Sequence, residues 1–469
     1  MPDLQGQALR SRSWVTKGVP MTKSLSDLTS LLLDLARKSG ADNADALAVD
    51  GTSVHIDVRG GALESAERSE GVDVGLRVLV GQRQACVSTS DTRPDALREL
   101  AERAVAMARV APEDRYAGLA DVEQLAKDTD SSRLELFDPT PEPDPAMLQD
   151  DAARAEAAAL AVDGVEQVIG ASAGYSHRRV HLAATNGFAA GYERSDRGIS
   201  CGALAGTGGG MERDYDHDSR IFQSDMRDAA DIGRTAGERA IERLNPRRPK
   251  TGSYPILLDE RISSSLITHL LQAVNGSMIA RGSSWARGLK GTQQVLPEGL
   301  SLIEDPHRPR ASASRLFDAE GLPTARRAIV ENGVLTDWTL DLATARQLGL
   351  TSNAHAARST SSTPSPSVTN VALTQGDKSR AELIRDMGTG LLVTSFIGST
   401  INPNTGDYSR GAAGFWIENG EITYPVNEIT IAGNLIEMLK RITPANDARQ
   451  HLSRVVPSLL VEGLTLAGD

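Results

Sequence analysis

Residues 388–433 read GTGLLVTSFIGSTINPNTGDYSRGAAGFWIENGEITYPVNEITIAG, and this stretch decides the fold of the second half of the chain. It reads as a strand, a Gly/Asn-rich loop, and then a hairpin around Asn419-Gly420. Asn-Gly is the dipeptide that best tolerates the two positive φ angles of a type I′ turn. Ala328–Val334 repeats the form around Asn332-Gly333. Two such hairpins predict a curved or barrel-like antiparallel sheet.

Around this core the texture is strand-rich. Tyr254–Leu258 leads into a helix at Ser263–Val274, and short helices near Arg380–Met387 and Leu435–Ile442 are placed to cover sheet edges. Ser359–Ser367, rich in Ser, Thr and Pro, reads as an exposed loop. Arg247–Gly252, flanked by Pro246 and containing Pro249, is the expected linker. It divides an N-terminal α/β domain (24–248) from a C-terminal β-rich domain (249–469), an α+β fold overall, with residues 1–23 expected to be a disordered lead.

Before the linker, Leu28, Leu31, Leu32 and Leu35 share one face of a helix from Ser24 to a Gly40 cap. Ala46–Val49 and Val54–Val58 read as two strands, and Val72–Val80 with Gln84–Thr89 as a hairpin. A helix over Pro94–Val110 opens with proline in its first turn. Residues 111–145 carry five prolines and read as a surface crossing. A helix follows at Met147–Val162, then strands at Val165–Ala173, Arg179–Ala184, Phe188–Tyr192 and Ile199–Ala205, with a turn at Asn186-Gly187. The helix Asp228–Leu244 stops before Pro246, which cannot continue the ladder. Helix, strands, helix thus occurs twice, as an internal duplication would produce, although no residue-level repeat is visible.

A chain of 469 residues exceeds one ordinary core and implies two or three domains. Aromatics make up only 4%, so the core must be built from Leu, Val, Ile and Ala. The net charge of −12 argues against a nucleic-acid partner, whose phosphates need Lys and Arg. Cys86 and Cys201 form no metal-binding cluster and suit a reducing compartment. No apolar run approaches the roughly 20 residues needed to span a bilayer. The opening residues, with Arg10, Arg12 and Lys17, do not resemble a secretory signal, so the cytoplasm is expected.

Several local motifs carry little chemistry. Gly170–Gly174 matches G-x-S-x-G, but strand follows it where a nucleophile elbow needs helix. Asp214–Asp225 has carboxylates at calcium-loop spacing, with Ser219 where glycine is required, and reads as a solvated acidic loop. Gly206–Gly210 lacks the sequel of a phosphate loop and reads as a flexible turn. A polar set of Asn353, His355, Arg358, Asn370, Asn402, Asp407, Ser409 and Arg410 suits recognition of peptide backbone, or else ties loops together. Facing a cleft, it would hold an extended peptide along a sheet edge.

The 388–433 segment, together with Pro457-Ser458-Leu459-Leu460, resembles the C-terminal signature of the TldD/PmbA family, peptidases also called "modulator of DNA gyrase", and specifically its PmbA/TldE branch. The catalytic branch of that family carries a His-Glu-x-x-x-His helix and a cysteine near its C-terminus. A zinc peptidase needs three protein ligands, an open position for water and a base. The equivalent helix here, Ile262–Gly276, has His269 alone, with Leu270 at the base position and Val274 at the second histidine; Leu452–Asp469 contains no cysteine. His269 is then a lone remnant, unless His307 or His355 completes it. The resemblance implies a chain without a metal or catalytic residues of its own, paired with a TldD-like subunit that holds zinc and cleaving unfolded or flexible peptides. The competing expectation is a stand-alone, homodimeric binder of peptides or of a regulatory partner.

Overall fold

The computed structural model describes residues 24–291 and 293–469; the expected lead over 1–23 lies outside the described residues. Helix α1 (Leu25–Ser39) is held at its start by a capping box on Ser24 and ended by Gly40 at φ 97°. Then come β1 (Asn43–Arg59), β2 (Ala62–Val80), β3 (Arg83–Thr89) and α2 (Pro94–Val110). The second half repeats the plan with α3 (Pro145–Leu160), β4 (Val165–Ala184), β5 (Ala189–Ala205), β6 (Glu212–Arg220) and α4 (Ala229–Glu242). The strands form one antiparallel sheet in the order β3-β2-β1-β4-β5-β6, so the two halves meet symmetrically at β1–β4.

The strands are far longer than the sequence suggests. Ala46–Val49 and Val54–Val58 belong to a single strand, as do the two segments on each side of Asn186-Gly187. The cause is the placing of the helices. Ala44, Ala46 and Ala48 of β1 pack under α1 and α2, whereas Val54, Ile56 and Val58 pack under α3 and α4. All six are even-numbered and so lie on one face. The polar stretch Asp50–Ser53 bridges the gap between the two helix pairs, where no apolar residue is required.

Two further expectations are corrected. Asp214–Arg220 is the outer strand β6 and not an acidic loop, with Asp214, Asp216 and Asp218 buried on its covered side. Residues 111–144 are irregular apart from two 3-10 turns, Val122–Gln124 and Ser131–Leu134, yet Leu134 and Leu136 are buried with Phe188 and Phe317 between the domains. That segment is interdomain packing as well as surface.

The C-terminal domain opens with β7 (Gly252–Leu258), α5 (Glu260–Ala273) and α6 (Gly276–Ala280). Next come β8 (Leu302–Glu304), β9 (Arg327–Glu331), β10 (Val334–Leu335), α7 (Leu342–Leu348), β11 (Ala356–Ala357), β12 (Ser365–Pro366), β13 (Val371–Leu373) and α8 (Arg380–Met387). The signature stretch forms β14 (Gly390–Ile401), β15 (Asp407–Glu418) and β16 (Glu421–Asn434), and the chain ends through α9 (Leu435–Leu439), β17 (Ile442–Pro444), β18 (Arg454–Val455) and β19 (Leu459–Ala467). Strands β16-β15-β14-β7-β19 close into a five-stranded barrel through the β16–β19 pairing. The barrel is not wholly antiparallel, because β7 and β14 run parallel. Both Asn-Gly turns have the expected positive φ angles, 52° and 78° at 419–420 and 48° and 80° at 332–333. They serve different sheets, since β9–β10 belongs to the separate sheet β10-β9-β8-β13-β18.

Loop 359–364 is a clasp between the domains. Gly75 of β2 lets the Thr360 carbonyl approach so closely that a Cβ there would lie 2.0 Å from it. Arg358 reaches Asp45, which also takes a 2.7 Å hydrogen bond from Arg77 Nε.

Candidate functional site: a groove between β6, α5 and β14

Asp259 caps α5, accepting from the Arg261 N–H, and the helix buries Leu266, Ile267, Leu270 and Leu271 against the barrel. Its other face carries Ser265, Thr268, His269 and Gln272, at i, i+3, i+4 and i+7, onto a groove. Three connected hollows make up this groove. An apolar pocket of about 370 Å³ is lined by His269, Met278, Trp285, Ile401 and Leu435 among others. It shares His269 with a cationic pocket of about 430 Å³, lined by Thr268, Arg261, Arg410 and Arg454. Tyr215, Ser395 and Phe396 lead on into a polar hollow of about 800 Å³ over Ser172, Gly202 and Asn427.

Two strand edges border the groove. One is β6, the outer strand of its sheet. The other is the second half of β14. Val393 is its last residue paired with β7, because the Asp259 N–H bonds the Val393 carbonyl and the chain turns into α5. Beyond that point β14 pairs only with β15 among the described residues, leaving the Ser395–Ile397 edge toward the groove.

The β6 wall is a ladder of ion pairs. Asp214 accepts from Arg261 at 2.9 Å and Arg243 at 3.3 Å, and Asp216 from Arg227 at 2.7 Å and Arg239 at 2.9 Å. Asp218 accepts from Arg220 at 3.0 Å, with His451 at 3.7 Å. Burial, and then the charge of Arg220, push the His451 pKa down to about 4, so this imidazole is neutral near pH 7.

Across the groove the cations are differently held. Arg454 Nη1 donates to Thr268 Oγ1 at 2.7 Å, and Arg410 Nε to the Gly398 carbonyl at 2.9 Å. The Arg410 guanidinium lies 4.1 Å over the Phe396 ring. Neither has a carboxylate partner among the described residues. His269 stands edge-on to Tyr408 at 5.9 Å, and both its ring nitrogens are buried without a hydrogen-bond partner. Burial lowers the His269 pKa, with the nearby Arg410 charge acting in the same direction.

Of the polar residues singled out from the sequence, only Arg410 lines these three hollows. Asn353 donates to Asp337 at 2.9 Å and to the Trp338 carbonyl at 2.7 Å, and also faces His355. His355 Nε2 lies 2.8 Å from the buried Glu304 carboxylate. Asn370 donates to Ser314 Oγ at 2.7 Å. Arg358 is spent on the interdomain clasp. Asn402 accepts the Asn404 N–H and Asp407 the Thr405 hydroxyl, which shapes the β14–β15 turn at the rim of the apolar pocket. Ser409 sits opposite Thr400 and Ala432 in the barrel ladder. These seven make their contacts within and between loops and strands, outside the three hollows. Sequence reading missed Tyr215, Phe396 and Arg454. Their one signal is an arginine directly before the apolar pair Val455-Val456.

A zinc ion at His269 would need further anionic or imidazole ligands. Leu270 and Val274 are buried in the core, His307 bonds Thr324 and His355 bonds Glu304, so none of them joins His269. The lining side chains that bear charge are arginines, which disfavour a cation. The residues present do not fit a metal.

Three family models match the chain. Those described as PmbA/TldA metallopeptidase domain 1, central domain and C-terminal domain match residues 44–108, 138–244 and 251–468. The chain is 35% identical to "Metalloprotease PmbA" of Escherichia coli O157:H7, over 95% of this chain and 97% of that one. A "Metalloprotease PmbA homolog" of Haemophilus influenzae is 34% identical over the same shares. Among solved structures, a putative modulator of DNA gyrase from Bacteroides thetaiotaomicron superposes with a TM-score of 0.88 at 26% identity, covering 96% of this chain and 100% of that one. TldE from Thermococcus kodakarensis shares the fold, with a TM-score of 0.82 at 20% identity, covering 94% and 100%.

Proposed function

The chain belongs to the PmbA/TldD metallopeptidase family, and from that premise we propose that it is the peptide-holding, non-catalytic subunit of a two-chain peptidase. A TldD-like subunit supplies the zinc and the base that activates water. This chain completes the substrate chamber and cradles an unfolded or flexible peptide in the cytoplasm.

The observation that carries the reading is the wall around His269, which has three arginines and no carboxylate. Such a lining repels a divalent cation and offers no carboxylate base for the proton of an attacking water. The free edges of β6 and β14 support the other half of the reading. An extended peptide can satisfy exposed strand edges with its own backbone, while pockets beside the edge take alternate side chains.

The test is reconstitution with the TldD-like subunit of the same genome. Alone, the chain is expected to retain no stoichiometric zinc after dialysis and to leave a casein-type substrate intact. Mixed, the pair is expected to form a stable complex and cleave it, with activity surviving His269→Ala here. One zinc per chain, with solitary activity abolished by His269→Ala, would overturn the proposal. A homodimer indifferent to the second subunit would instead favour a stand-alone binder.

A further inference from the structure

We propose that the cationic pocket on α5 is a carboxylate-binding subsite that anchors one end, or one acidic side chain, of the bound peptide. The inference rests on the peptide-holding role given above and adds what that role leaves open, namely which peptides are preferred.

Three observations converge. The pocket is lined by three arginines and one histidine, with no Asp or Glu among its lining residues, in a chain whose net charge is −12. The local excess therefore runs against the overall balance. Second, the three arginines are not equivalent. Arg261 is engaged by Asp214 and Asp259, so its charge is already matched. Arg410 meets the Gly398 carbonyl, the Phe396 ring and Tyr408, and Arg454 the Thr268 hydroxyl; neither meets a carboxylate among the described residues, so the charge of each is unmatched. Third, the His269 ring nitrogens are buried at the same wall, with only Gln272 of their own helix close enough to act on them, so a neutral imidazole is also on offer. A group bearing two acceptor oxygens and one negative charge satisfies this set, and guanidinium–carboxylate geometry favours it.

The position of the pocket explains why a peptide would bring the carboxylate. Ser395 and Phe396, on the free edge of β14, line the same hollow. A strand added there would run past Arg410 and Arg454, with the apolar pocket of Trp285 and Met278 adjoining through His269. A peptide C-terminus and a Glu or Asp side chain share the required chemistry.

Binding of three fluorescein-labelled, unstructured decapeptides to the full chain, followed by polarisation, tests this. The first has a free C-terminus and no acidic residue, the second an amidated C-terminus and one central Glu, and the third is the second with Gln in place of Glu. One or both carboxylate peptides are expected to bind roughly tenfold more tightly than the third, as a charge-assisted hydrogen-bond pair implies. Whichever binds more tightly identifies the source of the carboxylate. Arg454→Gln and Arg410→Gln are expected to erase that preference, bringing the carboxylate peptides to the third peptide's affinity. Equal binding of all three by the unmodified chain would overturn the subsite and leave the peptide groove standing. No binding by any of them would overturn both. Because the decisive contrast lies in the peptides, it does not depend on a variant folding.

Discussion

The arginines on the two sides of the groove live under opposite rules. Along β6, Arg220, Arg227, Arg239, Arg243 and Arg261 each reach a buried aspartate, and the carboxylates are shared so that the strand is stapled to α4 and α5. Across the gap, Arg410 and Arg454 have no carboxylate at all among the described residues. The contrast separates arginines whose charge is consumed by the fold from arginines whose charge is left for something else. Residue type alone does not distinguish them; the partner does.

The comparison breaks most easily at Asp214. Removing it with Asp214→Ala leaves Arg261 with Asp259 alone and Arg243 with Glu212 alone at 3.7 Å, so the cost should fall at or below the lower end of the about 3–5 kcal/mol typical for breaking a buried pair. A lowered denaturant midpoint, with the domains separating first, is the expected result; an unchanged midpoint would mean that the ladder is not structural.

Glu304 sharpens the same side. This fully buried carboxylate lies 2.9 Å from Arg327 and 2.8 Å from His355. Burial alone would raise its pKa, but the His355 hydrogen bond and charge, and then Arg327, bring it down to about 2. The folded value lies below the ordinary 4.5, so the stabilisation is complete above that pH and drains away as pH falls toward 2. Glu304→Gln should therefore destabilise the fold at pH 7, through the Arg327 pair and the hydrogen bond to a His355 ring that burial keeps neutral, and progressively less in acid. Urea melts at pH 7 and pH 3 measure it, and a deficit that did not shrink at pH 3 would contradict the assignment.

The smallest effect belongs to the other wall. Arg454→Gln loses one hydrogen bond to Thr268 and no ion pair, so stability should change by less than about 1 kcal/mol. A loss comparable to that of Asp214→Ala would erase the distinction between the two walls.

Much of this architecture was legible in the sequence wherever a local rule operates. Capping at Ser24 and Gly40, proline at the start of the second helix and both Asn-Gly turns appear where expected. What escaped was non-local. Asp50–Ser53 reads as a loop because it is polar, yet it is strand because its neighbours Gly71 and Arg178 pair with it across the sheet. The period-2 spacing of Asp214, Asp216 and Asp218 was present but read as solvated, since the arginines that make burial tolerable lie on other elements. In the groove, Arg410 was singled out within the signature stretch. Arg454 was not, because its meaning comes from α5, far away in the sequence.

The strand that seals the barrel has a consequence for how the protein comes into being. Leu258 of β7 pairs with Leu459 of β19, and its other partner, β14, is also remote. At a synthesis rate of about 5–20 residues per second, β7 waits roughly 10–40 s after emerging before β19 exists. The N-terminal sheet, built from adjacent hairpins, can be complete by then. The edge of β7 that β19 covers is therefore left open throughout that interval, while the hairpins β9–β10 and β14–β15–β16 can form locally, and closure of the barrel is the step most exposed to chaperones and to misassembly.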